Sequence, residues 1–184
     1  MFHVEQIAKN YMDLKKEIRE IQDYPKEGIN FKDITTLINN PEALNFVIDS
    51  VVDKFKGKGI TKVVGLEARG FICGGAIAGK LDAGFVPVRK KNKLPAEVIS
   101  ETYELEYGTD KVEMHIDAIN ENDVVLIHDD LLATGGSALA VLHLLKQQGV
   151  KQIYFSFIID LEFIDTPKKE EIYKYENQIL VKYS

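Results

Sequence analysis

Val4, Ile7, Tyr11, Leu14, Ile18 and Ile21 recur at steps of three and four with charged residues between them, a spacing that predicts a helix over the start of the chain. A turn-rich stretch follows at Asp23-Tyr24-Pro25-Lys26-Glu27-Gly28. Asn40-Pro41 reads as an N-cap with proline at the first helical position, and Ala43, Leu44, Val47, Ile48, Val51, Val52 and Phe55 line the apolar face of the helix it opens.

Beyond Gly57 and Gly59 the pattern shortens. Lys62 to Leu66 is a β-branched run that reads as a buried strand, and Phe71 to Leu81 as a small-residue helix. Phe85-Val86-Pro87-Val88 predicts a second strand whose proline points to an edge or a bulge. Val124 to Ile127 predicts a third, followed by a helix through Leu145, and Ile153 to Ile159 a fourth. Strands alternating with helices of this length imply βαβ units and a mainly parallel sheet, the α/β class. Ligands of such sheets bind beyond the carboxyl ends of the strands. A single domain over 1–184 is expected, without internal repeats.

Composition narrows the class. The chain has 184 residues, 45% hydrophobic and 28% charged, which is globular composition and not that of a disordered chain. Its net charge of −6 argues against non-specific nucleic-acid or anionic-membrane binding. One cysteine excludes an intramolecular disulfide and a multi-cysteine zinc cage. The uncharged run Leu131 to Leu145 is too short and too polar to span a bilayer, and the first residues lack the pattern of a signal peptide, so a cytoplasmic location is expected.

The chemistry concentrates at Val124-Val125-Leu126-Ile127-His128-Asp129-Asp130-Leu131-Leu132-Ala133-Thr134-Gly135-Gly136-Ser137. Here a buried strand ends in two carboxylates, and a Thr-Gly-Gly-Ser loop then opens a helix. Glycines let backbone N–H groups approach an anion, Thr134 and Ser137 add hydroxyls, and the helix N-terminus adds partial positive charge, so the loop suits a phosphate monoester. Asp129 and Asp130 suit a neighbouring sugar diol, because ionised carboxylates only accept hydrogen bonds. The loop has neither the Gly-Lys-Ser/Thr of a Walker motif nor a Gly-x-Gly-x-x-Gly pattern.

These residues resemble the 5-phosphoribosyl 1-diphosphate (PRPP) signature of type I phosphoribosyltransferases, and Leu-Leu-Ala-Thr-Gly-Gly is most similar to the adenine-using branch of that family. Three further segments carry the resemblance in register: Gly28 to Thr35, similar to the family's base-binding segment; Gly65-Leu66-Glu67-Ala68-Arg69-Gly70-Phe71, similar to its pyrophosphate loop; and Arg89 to Pro95 with Tyr103 to Gly108, similar to its mobile loop. The resemblance implies a central, mainly parallel sheet flanked by helices, with an N-terminal hood over about 1–38 and a flap over about 90–114. It implies transfer of a phosphoribosyl group from PRPP to adenine, giving AMP and pyrophosphate with Mg2+ held mainly by PRPP and water, and it implies a homodimer.

Residue by residue, the resemblance assigns Ala133, Thr134, Gly135, Gly136 and Ser137 to the 5′-phosphate and Asp129 and Asp130 to the ribose hydroxyls. Arg69, Arg89, Lys90 and Lys93 would surround the pyrophosphate, where cations act on charge that grows as the bond breaks. Glu106 would take the base proton or stabilise charge on the base, and Tyr107 would close over the phosphoribosyl group. Phe31 and Leu161 would face adenine, with main chain near Asn30 and Lys32 reading its edge. A cis peptide is expected at Glu67-Ala68. His128, His3, His115 and His143 are read as structural or solvated, Cys73 as a small core residue, and Lys168-Lys169-Glu170-Glu171 as a solvated helical face. Two rival functions remain: transfer to a 6-oxopurine (hypoxanthine, guanine or xanthine), and non-catalytic PRPP sensing, which the absence of a helix-turn-helix disfavours.

Overall fold

The computed structural model describes residues 12–104 and 108–184. By its internal contacts the chain divides into two compact units, residues 1–47 and 48–184.

In the first unit, a 3-10 turn at Leu14–Glu17 leads into β1 (Arg19–Ile21), which pairs antiparallel with β2 (Phe31–Asp33). The helix expected through Ile21 is therefore not formed over its described part. Ile18 and Ile21 fit a three-to-four spacing, but Ile21 pairs opposite Phe31, a contact ten residues away that periodicity cannot reveal. The short α1 (Thr35–Asn39) follows. Then comes α2 (Pro41–Phe55), inside which the unit boundary falls. Its start is as expected: Asn40 Oδ1 accepts from the N–H of Glu42 at 3.0 Å, and Pro41 takes the first helical position.

The second unit is built on a seven-stranded sheet. Its strands are β3 (Lys62–Leu66), β4 (Gly84–Lys90), β5 (Val98–Glu104), β6 (Thr109–His115), β7 (Val124–Leu132), β8 (Gln152–Leu161) and β9 (Asn177–Tyr183). The spatial order is β5-β6-β4-β3-β7-β8-β9. The β4/β3, β3/β7, β7/β8 and β8/β9 pairs are parallel, while β5/β6 and β6/β4 are antiparallel, so the sheet is mainly parallel as expected. β6 joins β4 only at Arg89 and Lys90, so Pro87 lies on a stretch with one sheet neighbour, where a missing N–H is tolerated. Most of the expected flap is the β5/β6 hairpin.

Alternate residues of the central strands feed opposite faces. Val64, Leu66, Val125 and Ile127 join the core formed with α4 (Gly136–Gln147), α5 (Pro167–Tyr173) and the β5/β6 side. Gly65, Phe85 and His128 face α3 (Gly70–Lys80). A Cβ on Gly65 would lie 2.6 Å from the Phe85 ring, so only glycine admits that ring and the close approach of α3.

The topology also locates a crevice. From β3 the chain adds β4 on one side, whereas β7 begins the run β7-β8-β9 on the other. The space between β3 and β7 is thus a switch point, and the segments leaving their carboxyl ends border it. Among the described residues, no helix is long and apolar enough to cross a membrane.

Candidate active site

The Thr-Gly-Gly-Ser loop leaves β7 after Leu132 and enters α4 at Gly136. Gly135 holds φ +79°, the left-handed region that a side chain disfavours, and this sharp turn aims the start of α4 back at the loop. The Oγ1 of Thr166 donates to the carbonyl of Thr134 at 2.8 Å, pinning the loop from outside. A hollow of about 80 Å³ is lined by Asp129, Ala133, Thr134, Gly135, Gly136 and Ser137 among others. The residues assigned from sequence to one phosphate site are therefore gathered around one hollow at a helix N-terminus.

The acid pair differs from expectation in one respect. β7 does not end before Asp129 but runs to Leu132. Its pairing with β3 stops at Gly65–His128, however, so both acids lie just past that ladder and beside the crevice. Asp130 is 4% exposed and its carboxylate lies 2.8 Å from Arg69 Nε. Asp129 Oδ1 accepts from the Asp130 N–H at 2.9 Å. Burial, reinforced by the Asp130 charge, pushes the Asp129 carboxyl well above the usual carboxylate range. Burial also raises Asp130, against the lowering effect of Arg69. Gly70 is required beside this pair: a Cβ there would sit 2.9 Å from both Asp129 Oδ1 and the His128 carbonyl.

The segment after β3 carries the expected cis peptide at Glu67-Ala68. Glu67 holds two of the four cations assigned to pyrophosphate, Arg89 and Lys93. Its carboxylate pairs with Lys93 Nζ, lies 3.3 Å from Arg89 Nε and accepts from the Lys90 N–H at 2.9 Å. Burial would raise the Glu67 carboxyl, but these three partners outweigh it and hold it below the usual range. Lys90 Nζ pairs with Asp110 at 2.9 Å, and Tyr103 donates to the same carboxylate at 3.2 Å.

A cavity of about 270 Å³ is lined by Glu67, Arg89, Lys90, Tyr103, Asp129 and Ser137 among others. It joins members of four segments that are separate in sequence. Three of its polar groups were not singled out from sequence: Glu67, Tyr103 and Asp110. Glu67 and Tyr103 lay inside quoted motifs, but Asp110 carried no sequence signal. Glu106 and Tyr107 lie outside the described residues.

The residues that the resemblance assigns to adenine fall in different units, and each is described within its own. In the first, Phe31 packs edge-on against Tyr24 with ring centroids 5.3 Å apart, and the buried Lys32 pairs with Glu20 at 3.0 Å. In the second, Leu161 ends β8, mostly buried, its carbonyl accepting from Lys169 Nζ at 2.8 Å. Lys169 corrects an expectation. The 168–171 run is helical but not a wholly solvated face, because Lys169 is 2% exposed and pairs with the fully buried Asp160 at 2.6 Å. Cys73 is buried, and burial pushes its thiol up to about 11, as fits a core residue. His128 is wholly buried, its Nδ1 3.3 Å from Ser156 Oγ, and burial lowers it to about 4.

For a divalent cation, the described residues include no cluster of three or more histidine, cysteine or carboxylate groups. What they offer is the adjacent carboxyl groups of Asp129 and Asp130. That donor set fits a magnesium ion held chiefly by a ligand's oxygens and water, not one caged by protein.

A family model for the phosphoribosyl transferase domain matches residues 33–178. The chain is 58% identical over 148 residues to the adenine phosphoribosyltransferase of Phocaeicola vulgatus, covering 80% of this chain and 85% of that one. It is 52% identical over 171 residues to the adenine phosphoribosyltransferase of Proteus mirabilis, covering 91% and 93%. Among solved structures, adenine phosphoribosyltransferase from Rhodothermus marinus superposes with a TM-score of 0.85 at 46% identity, covering 92% of this chain and 96% of that one. The Giardia lamblia enzyme complexed with 9-deazaadenine superposes with a TM-score of 0.86 at 37% identity, covering 94% and 97%.

Proposed function

The chain belongs to the phosphoribosyltransferase family, and from that premise we propose that it is an adenine phosphoribosyltransferase, converting adenine and PRPP to AMP and pyrophosphate in purine salvage. The observation that carries the reading is the single crevice at the β3/β7 switch point. Around it stand a phosphate-sized hollow at a helix N-terminus, a carboxylate pair and a group of cations. The relatives named above supply the choice of adenine.

Each part has a task. Ala133 to Ser137 hold the 5′-phosphate through main-chain N–H groups and the hydroxyls of Thr134 and Ser137. Asp129 and Asp130 accept from the ribose 2′- and 3′-hydroxyls, which fixes the sugar with its anomeric carbon toward the base. Adenine N9 forms its bond to that carbon as the bond to the pyrophosphate oxygen breaks. Negative charge grows on the leaving oxygen, and Arg69, Arg89, Lys90 and Lys93 stabilise that change more than the ground state. Magnesium, when bound, neutralises further charge on the pyrophosphate. Glu106 accepts the N9 proton, and Tyr107 with the β5/β6 hairpin keeps water from the reacting carbon. Phe31 and Leu161 offer apolar surface to adenine, and main chain near Lys32 reads its edge. The enzyme works in the cytoplasm as a homodimer.

One assay tests this reading. The protein is incubated with PRPP and Mg2+ and offered adenine, hypoxanthine, guanine and xanthine together. AMP as the sole nucleotide is the expected product. Another nucleotide would keep the mechanism and remove the base assignment, and PRPP binding without any nucleotide would favour a sensor.

A further inference from the structure

We propose that Lys169 is a positioning residue that sets the distance between the base-facing end of β8 and the phosphate loop. This rests on the reading of Leu161 as a wall of the adenine site and of Thr134 to Ser137 as the phosphate anchor.

Lys169 touches both. Its Nζ donates to the Leu161 carbonyl at 2.8 Å and pairs with Asp160 at 2.6 Å, so two adjacent residues at the end of β8 are held by one ammonium group. Tyr173, one turn further along α5, donates to the other Asp160 oxygen at 2.6 Å. The other end of Lys169 meets the loop. A Cβ on Gly135 would lie 3.3 Å from both its Cγ and its backbone N, which places the Lys169 stem in van der Waals range of the sharpest point of the turn. The same backbone N–H donates to Thr166 Oγ1 at 3.2 Å, and that hydroxyl donates onward to the Thr134 carbonyl at 2.8 Å. One short helix thus grips the phosphate loop with its first turn and the base wall with a single lysine.

Stability alone is a weak reason for such a pair. Lys169 is 2% and Asp160 0% exposed, and stripping two charges of water offsets most of their attraction, so well-packed neutral side chains serve a core at least as well. What the ammonium adds is direction: it aims at one carboxylate and one carbonyl from a fixed stem. A nucleotide has a rigidly limited span from phosphate to base. An error of an ångström between the two anchors is paid by every ligand that uses both, and by no ligand that uses one.

That asymmetry is the test. Asp160→Asn/Lys169→Met removes both charges and keeps similar volume. AMP, which uses both anchors, should bind at least tenfold more weakly, while ribose 5-phosphate, which uses only the phosphate side, stays within twofold of wild type. Lys169→Arg should restore most of the AMP affinity, because the guanidinium reaches the same acceptors. Equal weakening of both ligands would mean a merely structural role, and unchanged AMP binding would mean none; either overturns the proposal. Should the double variant fail to fold, Tyr173→Phe, at a half-exposed position, serves instead: AMP should weaken two- to fivefold with ribose 5-phosphate unchanged, and wild-type AMP affinity would refute the strut. Wild-type protein in the same series must also make AMP from adenine and PRPP. Its failure to do so would remove the functional reading itself, whereas normal wild-type turnover with an indifferent variant removes only the role of Lys169.

Discussion

Arg69 Nε lies 2.8 Å from the Asp130 carboxylate, so the residue that follows the Glu67-Ala68 cis pair and the second acid of β7 form one partly buried ion pair. Removing one partner of such a pair leaves a buried charge without compensation. Arg69→Met should therefore destabilise the protein by about 3 kcal/mol, a fall in Tm of roughly 10 °C. Arg69→Met/Asp130→Asn should recover most of that loss yet still bind PRPP poorly. Calorimetry on the three proteins checks the first point, and a Tm for Arg69→Met equal to wild type would show that the pair holds nothing together.

The turn at Gly135 leads to a prediction in which fold and function fall together. At φ +79° any side chain is strained, and a Cβ would also meet Ile172 Cδ1 at 3.1 Å. Gly135→Ala should cost about 1–2 kcal/mol from backbone strain alone. Because the loop can relieve that strain only by moving, the KM for PRPP should rise by roughly tenfold or more while the adenine KM changes little. Steady-state kinetics varying each substrate in turn distinguishes this from general damage, which would shift both.

Much of this arrangement was legible from sequence, and the failures share a cause. Central parallel strands such as Lys62–Leu66 and Val124–Leu132 are buried on both faces, and a continuous apolar run announces them. The phosphate loop announced itself too, because glycine and hydroxyl residues beside an apolar strand have few other uses. Local patterning could not show what depends on a distant partner. Ile21 took a strand from Phe31, and the lysine of a four-charge run found Asp160 inside the core. β9 alternates weakly and takes its place from pairing with β8, and Asp110 entered the site through the β5/β6 register. Charge identity is local, but burial of a charge is not.

Glu67 stands against Arg89 and Lys93, the cations assigned to the leaving group. Pyrophosphate and Glu67 then compete for the same two side chains. Glu67→Gln should tighten pyrophosphate binding, by roughly fivefold, because it removes the competing charge while keeping a hydrogen-bonding group. The same change should lower kcat if release of pyrophosphate limits turnover. Isothermal titration with pyrophosphate decides it: weaker binding in the variant would mean that Glu67 orients the cations instead of competing for them.

Glu106 carries the proton-transfer assignment. Glu106→Ala should lower kcat by roughly a hundredfold or more and leave the Kd for PRPP within twofold, since the proposed role of the carboxylate is on the base and not on the phosphates. Glu106→Gln should fall nearly as far, because an amide cannot accept the proton. Single-turnover measurement with saturating PRPP isolates the chemical step, and an unchanged rate there would remove the carboxylate from the reaction.

His128 provides a pH test that is independent of the chemistry. It is wholly buried under α3, and burial depresses it to about 4 from an ordinary 6.5. The unfolded chain therefore takes up a proton as pH falls below 6.5, while the folded chain refuses it until about 4. The resulting stability is complete above 6.5 and declines as pH falls toward the folded value, by at most about 1.4 kcal/mol per pH unit. His128→Gln keeps a partner for Ser156 and does not titrate. At pH 7 the variant should be the less stable, since it replaces a fitted ring, and between pH 6.5 and 4.5 the gap should close by about 2 kcal/mol as wild type loses what the variant never had. Urea unfolding at half-unit steps of pH measures it. Two curves that stay parallel across that window would show that the folded protein protonates His128 as readily as the unfolded chain does.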